Sequence, residues 1–223
     1  MNSADAVHTS QRWAGDKESH TMLCTPSLRV NWPSLVDRIE QGFRCPRSPY
    51  HGPSHWRAVA TAGAMLCRRT PDADWMTVQL FALLHDCERV DDGDDPRHGE
   101  RAAALVRSLA AEGTIRGSET EIERLAYACA DHAHGYTVAD PTIGVCWDSD
   151  RLNLWRVGVP PSPEYLSTAA ARDVDLTLWA MTLHDTAPSW DAIRSEAFDP
   201  TPYGGPDTSW DLAEVRDEFL SAL

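Results

Sequence analysis

Phe81-Ala-Leu-Leu-His85-Asp86-Cys87-Glu88-Arg89 is the stretch from which the architecture of this chain can be read. Its apolar run has the length and composition of a buried helix, and it ends in an adjacent histidine and aspartate. That ending sets an imidazole beside a carboxylate where water is scarce. An unpaired carboxylate there costs several kcal/mol, so it needs a cation or a hydrogen-bonding partner. A divalent metal meets the need, because both side chains are ligands for first-row ions. The dipeptide recurs at His184-Asp185. What sets the first copy apart is its company: His55 upstream, then His98, His132 and Asp150 downstream.

Working outward, the chain reads as helix upon helix. Thr70-Pro71, Asp95-Pro96 and Asp140-Pro141 each place a capping residue before a proline, the pattern of a helix start. Ser118-Glu-Thr-Glu121 reads as a capping box. Gly113, Gly135 and Gly158 fall where C-terminal glycines are expected. These signals predict helices over roughly 53–69, 71–89, 96–112, 119–134 and 141–157. A short helix is expected after Pro33, another around 168–184, and a last one near 209–222. No strand-like alternation or hairpin dipeptide competes with them. The expected fold is all-α, a bundle of five or more helices spanning 26–160, with a C-terminal helical extension over 161–223. Residues 1–25 are mixed polar without periodicity and are expected to form a mobile tail.

Composition narrows the functional classes. The balance of 20 basic against 34 acidic residues gives a net charge of −14, which argues against a general binder of nucleic acid or anionic membranes. Small anionic substrates stay open, since a metal and a few arginines can invert the local field. Six cysteines (Cys24, Cys45, Cys67, Cys87, Cys129 and Cys146) contain no C-x-x-C pair, which fits a reducing cytoplasm better than a disulfide framework. No apolar run approaches the ~20 residues of a membrane span, and the N-terminus carries no basic-plus-apolar signal region. A soluble cytoplasmic protein is expected.

Each of the five main helices carries one part of the ligand set. His55 opens the first, in Tyr50-His-Gly-Pro-Ser-His-Trp-Arg-Ala-Val59; His85 and Asp86 close the second; His98 opens the third, His132 closes the fourth, and Asp150 lies in the fifth, in Trp147-Asp-Ser-Asp-Arg-Leu-Asn-Leu154. Ligands at helix ends can converge on the mouth of a bundle. The order His, His-Asp, Asp resembles the HD-domain superfamily of metal-dependent phosphohydrolases. The resemblance covers roughly 45–160 and is carried most strongly by Leu84-His-Asp86 and Asp150-Arg-Leu-Asn153. It implies a helical bundle in which His55, His85, Asp86 and Asp150 hold a metal. Asp148 is the rival for the last position but lacks the following Arg-Leu. His98-Gly-Glu-Arg-Ala-Ala-Ala-Leu105 and Asp131-His-Ala-His-Gly135 resemble the helices that supply a second metal in binuclear members. The resemblance thus implies one or two divalent transition ions (Fe, Mn, Co, Ni or Zn, with Mg also open) and hydrolysis of a small phosphate ester or nucleotide through a metal-activated hydroxide.

Roles follow for the neighbours. Glu88 is expected as a general acid or base, or as a carboxylate orienting a histidine, with Asp86 beside it at the catalytic centre. Arg89, Arg101 and Arg151 each follow a ligand by one to four residues and are expected to meet phosphate oxygens. His132 and His134 lie two residues apart and so point to different sides of a helix; His132 is taken as the ligand and His134 as a substrate contact. His51 reads as a cap or substrate contact, His184-Asp185 as a helix end, and the acidic loop Val90-Asp-Asp-Gly-Asp-Asp-Pro96 as solvated. Gly135-Tyr136 is followed by Thr137, and His85-Asp-Cys-Glu-Arg lacks His-Asp-x-x-Glu-Asp, so neither cyclic dinucleotides nor alarmones are implied as substrates. Two other readings remain beside the phosphohydrolase: a di-iron oxygenase of the same fold, and a non-catalytic nucleotide- or metal-binding sensor.

Overall fold

The computed structural model describes residues 28–223, so the tail expected over 1–25, with His8, His20 and Cys24, lies outside the described residues. The fold is all-α with more than five helices, and its only sheet among the described residues is a two-residue antiparallel ribbon that pairs Arg29–Val30 with Ile115–Arg116. That ribbon is not legible in the sequence, because two residues a side carry no alternation to read.

Helix α1 (Trp32–Gly42) starts where the Asn31 side chain accepts from the Ser34 amide. Helix α2 (Pro53–Arg69) begins on a proline whose missing N–H costs nothing at that position. Every residue from Ala58 to Leu66 is buried, so α2 is apolar all round and runs through the centre of the molecule. Around it pack α3 (Trp75–Leu84), α6 (Pro141–Arg151) and α8 (Leu183–Thr186). Helices α4 (His98–Ala111) and α5 (Glu119–Asp131) form an antiparallel pair that is closed at its loop by Gly113, which adopts φ 73°. Ser118 and Glu121 make the expected capping box. Helices α7 (Val174–Trp179), α9 (Trp190–Ile193) and α10 (Leu212–Ser221) complete the C-terminal part, which the Trp155–Trp210 edge contact at 5.2 Å and the Arg69–Asp173 pair at 2.7 Å fasten to the bundle.

Boundaries depart from the predicted ones where side chains redirect the backbone. The helix predicted over 71–89 occupies only 75–84: Asp74, not Thr70, caps it by accepting from the Thr77 amide at 2.7 Å. At its other end His85 Nδ1 hydrogen-bonds the carbonyls of Phe81 and Ala82 at 3.1 and 3.2 Å, and the chain passes into tight turns through Arg89. Asp95 was expected to cap the next helix. Its carboxylate instead accepts from the Val90 amide and from Arg101 Nη2, closing the acidic loop, and α4 starts three residues later at His98. The helix predicted over 168–184 is broken into α7, a 3-10 turn over Ala180–Thr182, and α8.

Candidate metal centre

Five elements deliver the six predicted ligands to one place. His55 is the third residue of α2, His85 follows the last residue of α3, and Asp86 sits in the next turn. His98 is the first residue of α4, His132 follows α5, and Asp150 is the penultimate residue of α6. All but Asp150 are buried. His55, His85 and Asp86 form one group that could hold a metal ion, and Asp86, His98 and His132 form a second. A third, overlapping group joins His85, His132 and Asp150; within each, the ligand atoms lie within 4.8 Å of one another.

Asp86 joins the first two groups. Its Oδ2 lies 3.4 Å from His55 Nε2 and 3.6 Å from His85 Nε2, while its Oδ1 lies 3.3 Å from His98 Nε2 and 3.6 Å from His132 Nε2. Asp150 Oδ1 adds to the first half, 3.2 Å from His55 Nε2 and 3.7 Å from His85 Nε2. The cluster therefore has two lobes sharing one carboxylate.

The tautomers say what the cluster needs. Nδ1 of His85 faces the carbonyls of Phe81 and Ala82, Nδ1 of His98 faces the Asp95 carbonyl at 2.5 Å, and Nδ1 of His132 faces the Cys129 carbonyl at 2.8 Å. A carbonyl can only accept, so in each neutral ring Nδ1 carries the proton and Nε2 presents its lone pair. His55 Nδ1 is held in the same way by Asn153 Oδ1 at 2.8 Å. Yet His55 Nε2 lies 3.1 Å from His85 Nε2, and His98 Nε2 lies 3.0 Å from His132 Nε2. Lone pairs confront lone pairs, two carboxylates close the ring, and Asp150 Oδ1 is buried without a hydrogen-bond partner. A cation is the species that satisfies such a donor set.

The spacings fit as well as the chemistry. Two ligands ~2.1 Å from a common ion subtend about 95° when they are 3.1 Å apart and about 125° when they are 3.7 Å apart, around the tetrahedral value. The Asp86 and Asp150 carboxyls are held well below the ordinary carboxylate range although burial works to raise them, which takes positive charge beside them; with the rings neutral, a bound cation would supply it. Burial and the neighbouring His132 push His98 down to about 4, leaving it neutral and free to ligate at pH 7. The Phe81 ring stacks on His85 with centroids 4.8 Å apart and keeps that side of the site apolar.

The predicted neighbours divide. Arg89 is at the site: its Nε donates to Asp86 Oδ1 at 3.0 Å. Arg101 is not free for a phosphate, because it clamps the Glu88 carbonyl with Nε and Nη2 and the Asp95 carboxylate at 2.6 Å. Arg151 is likewise engaged as a strut, donating to the carbonyls of Tyr165 and His132 and lying over the Trp147 ring. Glu88 pairs with Arg44 at 3.4 Å; its three-residue spacing from His85 means little once the helix has ended at Leu84. His134 is half exposed and stacks on Tyr136 outside the buried cluster. Asp148, the rival of Asp150, is fully buried and accepts from the Ser167 amide, the Thr168 amide and the Thr168 hydroxyl at 2.7, 2.7 and 2.8 Å.

Sequence reasoning undervalued three residues. Asn153, the last residue of the Asp150–Asn153 run, orients His55. His51 is buried, with its Nδ1 2.9 Å from Asp92 Oδ1, and its ring meets His55 edge-on with centroids 6.3 Å apart. Its position four residues before His55 was the available signal. Arg156 lies one turn beyond Asn153 and donates to the Tyr50 and Asn153 carbonyls. No helix among the described residues is long and apolar enough to cross a membrane. Comparison with protein-family models, with curated proteins and with solved structures gave no match.

Proposed function

We propose that this protein is a metal-dependent phosphohydrolase of the HD-domain type, acting on a small phosphate ester or nucleotide. The observation that carries the proposal is the two-lobed donor set, in which four Nε2 lone pairs and two carboxylates converge with Asp86 shared between the lobes. A bound divalent ion supplies a lowered water pKa and polarisation of a phosphoryl oxygen.

The chain's own residues do the rest. Asn153 and the carbonyls of Phe81, Asp95 and Cys129 fix each imidazole in the ligating tautomer. Arg89 neutralises part of the Asp86 charge and keeps that carboxylate from turning away from either lobe. His51, held by Asp92 against rotation, packs edge-on against His55 and limits that ligand's movement.

The test begins with elemental analysis of protein purified without added metal and without oxygen, followed by reconstitution with Mn, Co, Ni, Mg, Zn or Fe. A phosphate-release screen over monoesters and nucleotides then compares the parent with His85→Ala and Asp86→Ala. Metal-dependent release that both substitutions abolish supports the reading. Two irons per chain with oxygen consumption and no phosphate release would replace it with the oxygenase. Tight nucleotide binding without turnover would replace it with the sensor.

A further inference from the structure

One side of the cluster is open. The Asp150 side chain keeps 16% of its exposure, against 4% or less for the other five ligands. Two cations that are not themselves metal ligands border the cluster. Arg89 spends its Nε on Asp86, and its Nη1 is buried with no hydrogen-bond partner. Arg156 spends Nε and Nη1 on the carbonyls of Tyr50 and Asn153, which are neutral. Among the described residues, no carboxylate lies within ion-pair distance of Arg156. Burial lowers its pKa, and only the more distant charges of Asp150 and Asp86 oppose that. Arg156 is anchored on the carbonyl of Tyr50, the residue before His51, and on that of Asn153, whose side chain holds His55, while Arg89 grips Asp86, so both arginines flank the His55–Asp86 side of the cluster.

A part-buried guanidinium without a counter-charge is costly, and it is matched best by an anion that can take paired N–H donors. The local charge sets the sign. Asp86, Asp150 and Asp92, the partner of His51, contribute −3, the two arginines +2 and one divalent ion +2, a net +1 that a second divalent ion raises to +3. In a chain of net charge −14 this is a strong local inversion.

We propose that Arg89 and Arg156 form a binding subsite for a doubly charged tetrahedral oxyanion, the phosphoryl or phosphonyl head of a small substrate, with His51 at its edge. The subsite rests on the reading of the cluster as a metal centre, and it deepens the proposed function by naming the substrate group and the side chains that take it. Arg89 Nη1 is an unspent donor shielded from bulk water, while the Arg156 backbone anchors fix its guanidinium.

The test is calorimetric titration of inorganic phosphate, methylphosphonate and acetate into the metal-reconstituted protein, compared with Arg89→Gln, Arg156→Gln and Arg156→Lys. Arg89→Gln and Arg156→Gln each weaken phosphate and methylphosphonate by roughly ten- to a hundredfold, the size of one charge-assisted contact. Arg156→Lys, which keeps the charge but not the paired donors, falls between the parent and Arg156→Gln; both Arg156 variants keep metal at the parental level, phosphate affinity of Arg89→Gln is compared at equal metal occupancy, and acetate binds far more weakly than phosphate. Should Arg156→Gln fail to fold, Arg89→Gln and the graded effect of Arg156→Lys decide. Phosphate affinity that both arginines leave unchanged, or acetate binding as tightly as phosphate, overturns the subsite. Ester hydrolysis with arginine-independent phosphate affinity removes the subsite and keeps the hydrolase. Arginine-dependent phosphate binding without cleavage of any ester does the reverse.

Discussion

Asp86→Ala removes the one side chain that both lobes share, and metal stoichiometry reads the consequence directly. Oδ2 closes the His55–His85 lobe and Oδ1 closes the His98–His132 lobe, at 3.3–3.6 Å from the four Nε2 atoms. With metal ~100-fold above each Kd, each occupied site adds about 2.7 kcal/mol to the folded state. For a chain of this size that raises Tm by roughly 5–11 °C per site. The parent should therefore gain roughly 11–22 °C from two ions. His98→Ala acts on the second lobe and Asp150→Ala chiefly on the first, where the Asp150 Oδ1 lies 3.2 and 3.7 Å from His55 and His85, so each should keep one ion and about half of the gain. Asp86→Ala should keep neither. The assay is thermal melting with and without metal, paired with elemental analysis. Each variant is its own metal-free control, so changes in intrinsic stability cancel. An Asp86→Ala protein that holds one ion as firmly as His98→Ala does would refute the shared-carboxylate geometry.

Three further outcomes follow from the same contacts. A Cβ added to Gly99 would lie 2.6 Å from the Ala130 carbonyl oxygen and 2.7 Å from that of Cys129, so Gly99→Ala must part α4 from α5; it should cost about 1–3 kcal/mol in chemical denaturation and weaken the His98–His132 lobe selectively. Asp148→Ala leaves two backbone amides and a hydroxyl unsatisfied and should cost about 2–4 kcal/mol with metal stoichiometry intact, whereas Asp150→Ala loses an ion; loss of metal in Asp148→Ala would reverse the assignment. His98 in the metal-free protein should titrate at about 4 by NMR of its ring, against ~6.5 in the unfolded chain. Because the unfolded state takes the proton first, its contribution to stability is complete above pH 6.5 and is lost as pH falls from 6.5 through 4, by about 3 kcal/mol; a ring that titrates near 6.5 in the folded protein would contradict this.

What the sequence by itself determined was local. Apolar runs, Asp140-Pro141, the Ser118–Glu121 box and the glycines at 113, 135 and 158 are signals between residues a few positions apart that the fold keeps, whereas Thr70-Pro71 and Asp95-Pro96 start no helix. The ligand types were legible for the same reason, because His85-Asp86 at the end of an apolar run states its own electrostatic problem. Where a side chain answers to a distant partner, the sequence was silent. Asp148 and Asp150 stand two residues apart, and only the arrival of the 167–168 loop occupies one and leaves the other facing His55. Arg101 and Arg151 looked like phosphate contacts until folding supplied carbonyls for them, while Arg156 looked like nothing and was left without a carboxylate. Tertiary structure also decided that one carboxylate serves two lobes, because the four imidazoles it meets come from four separate helices, and only their packing sets the distances.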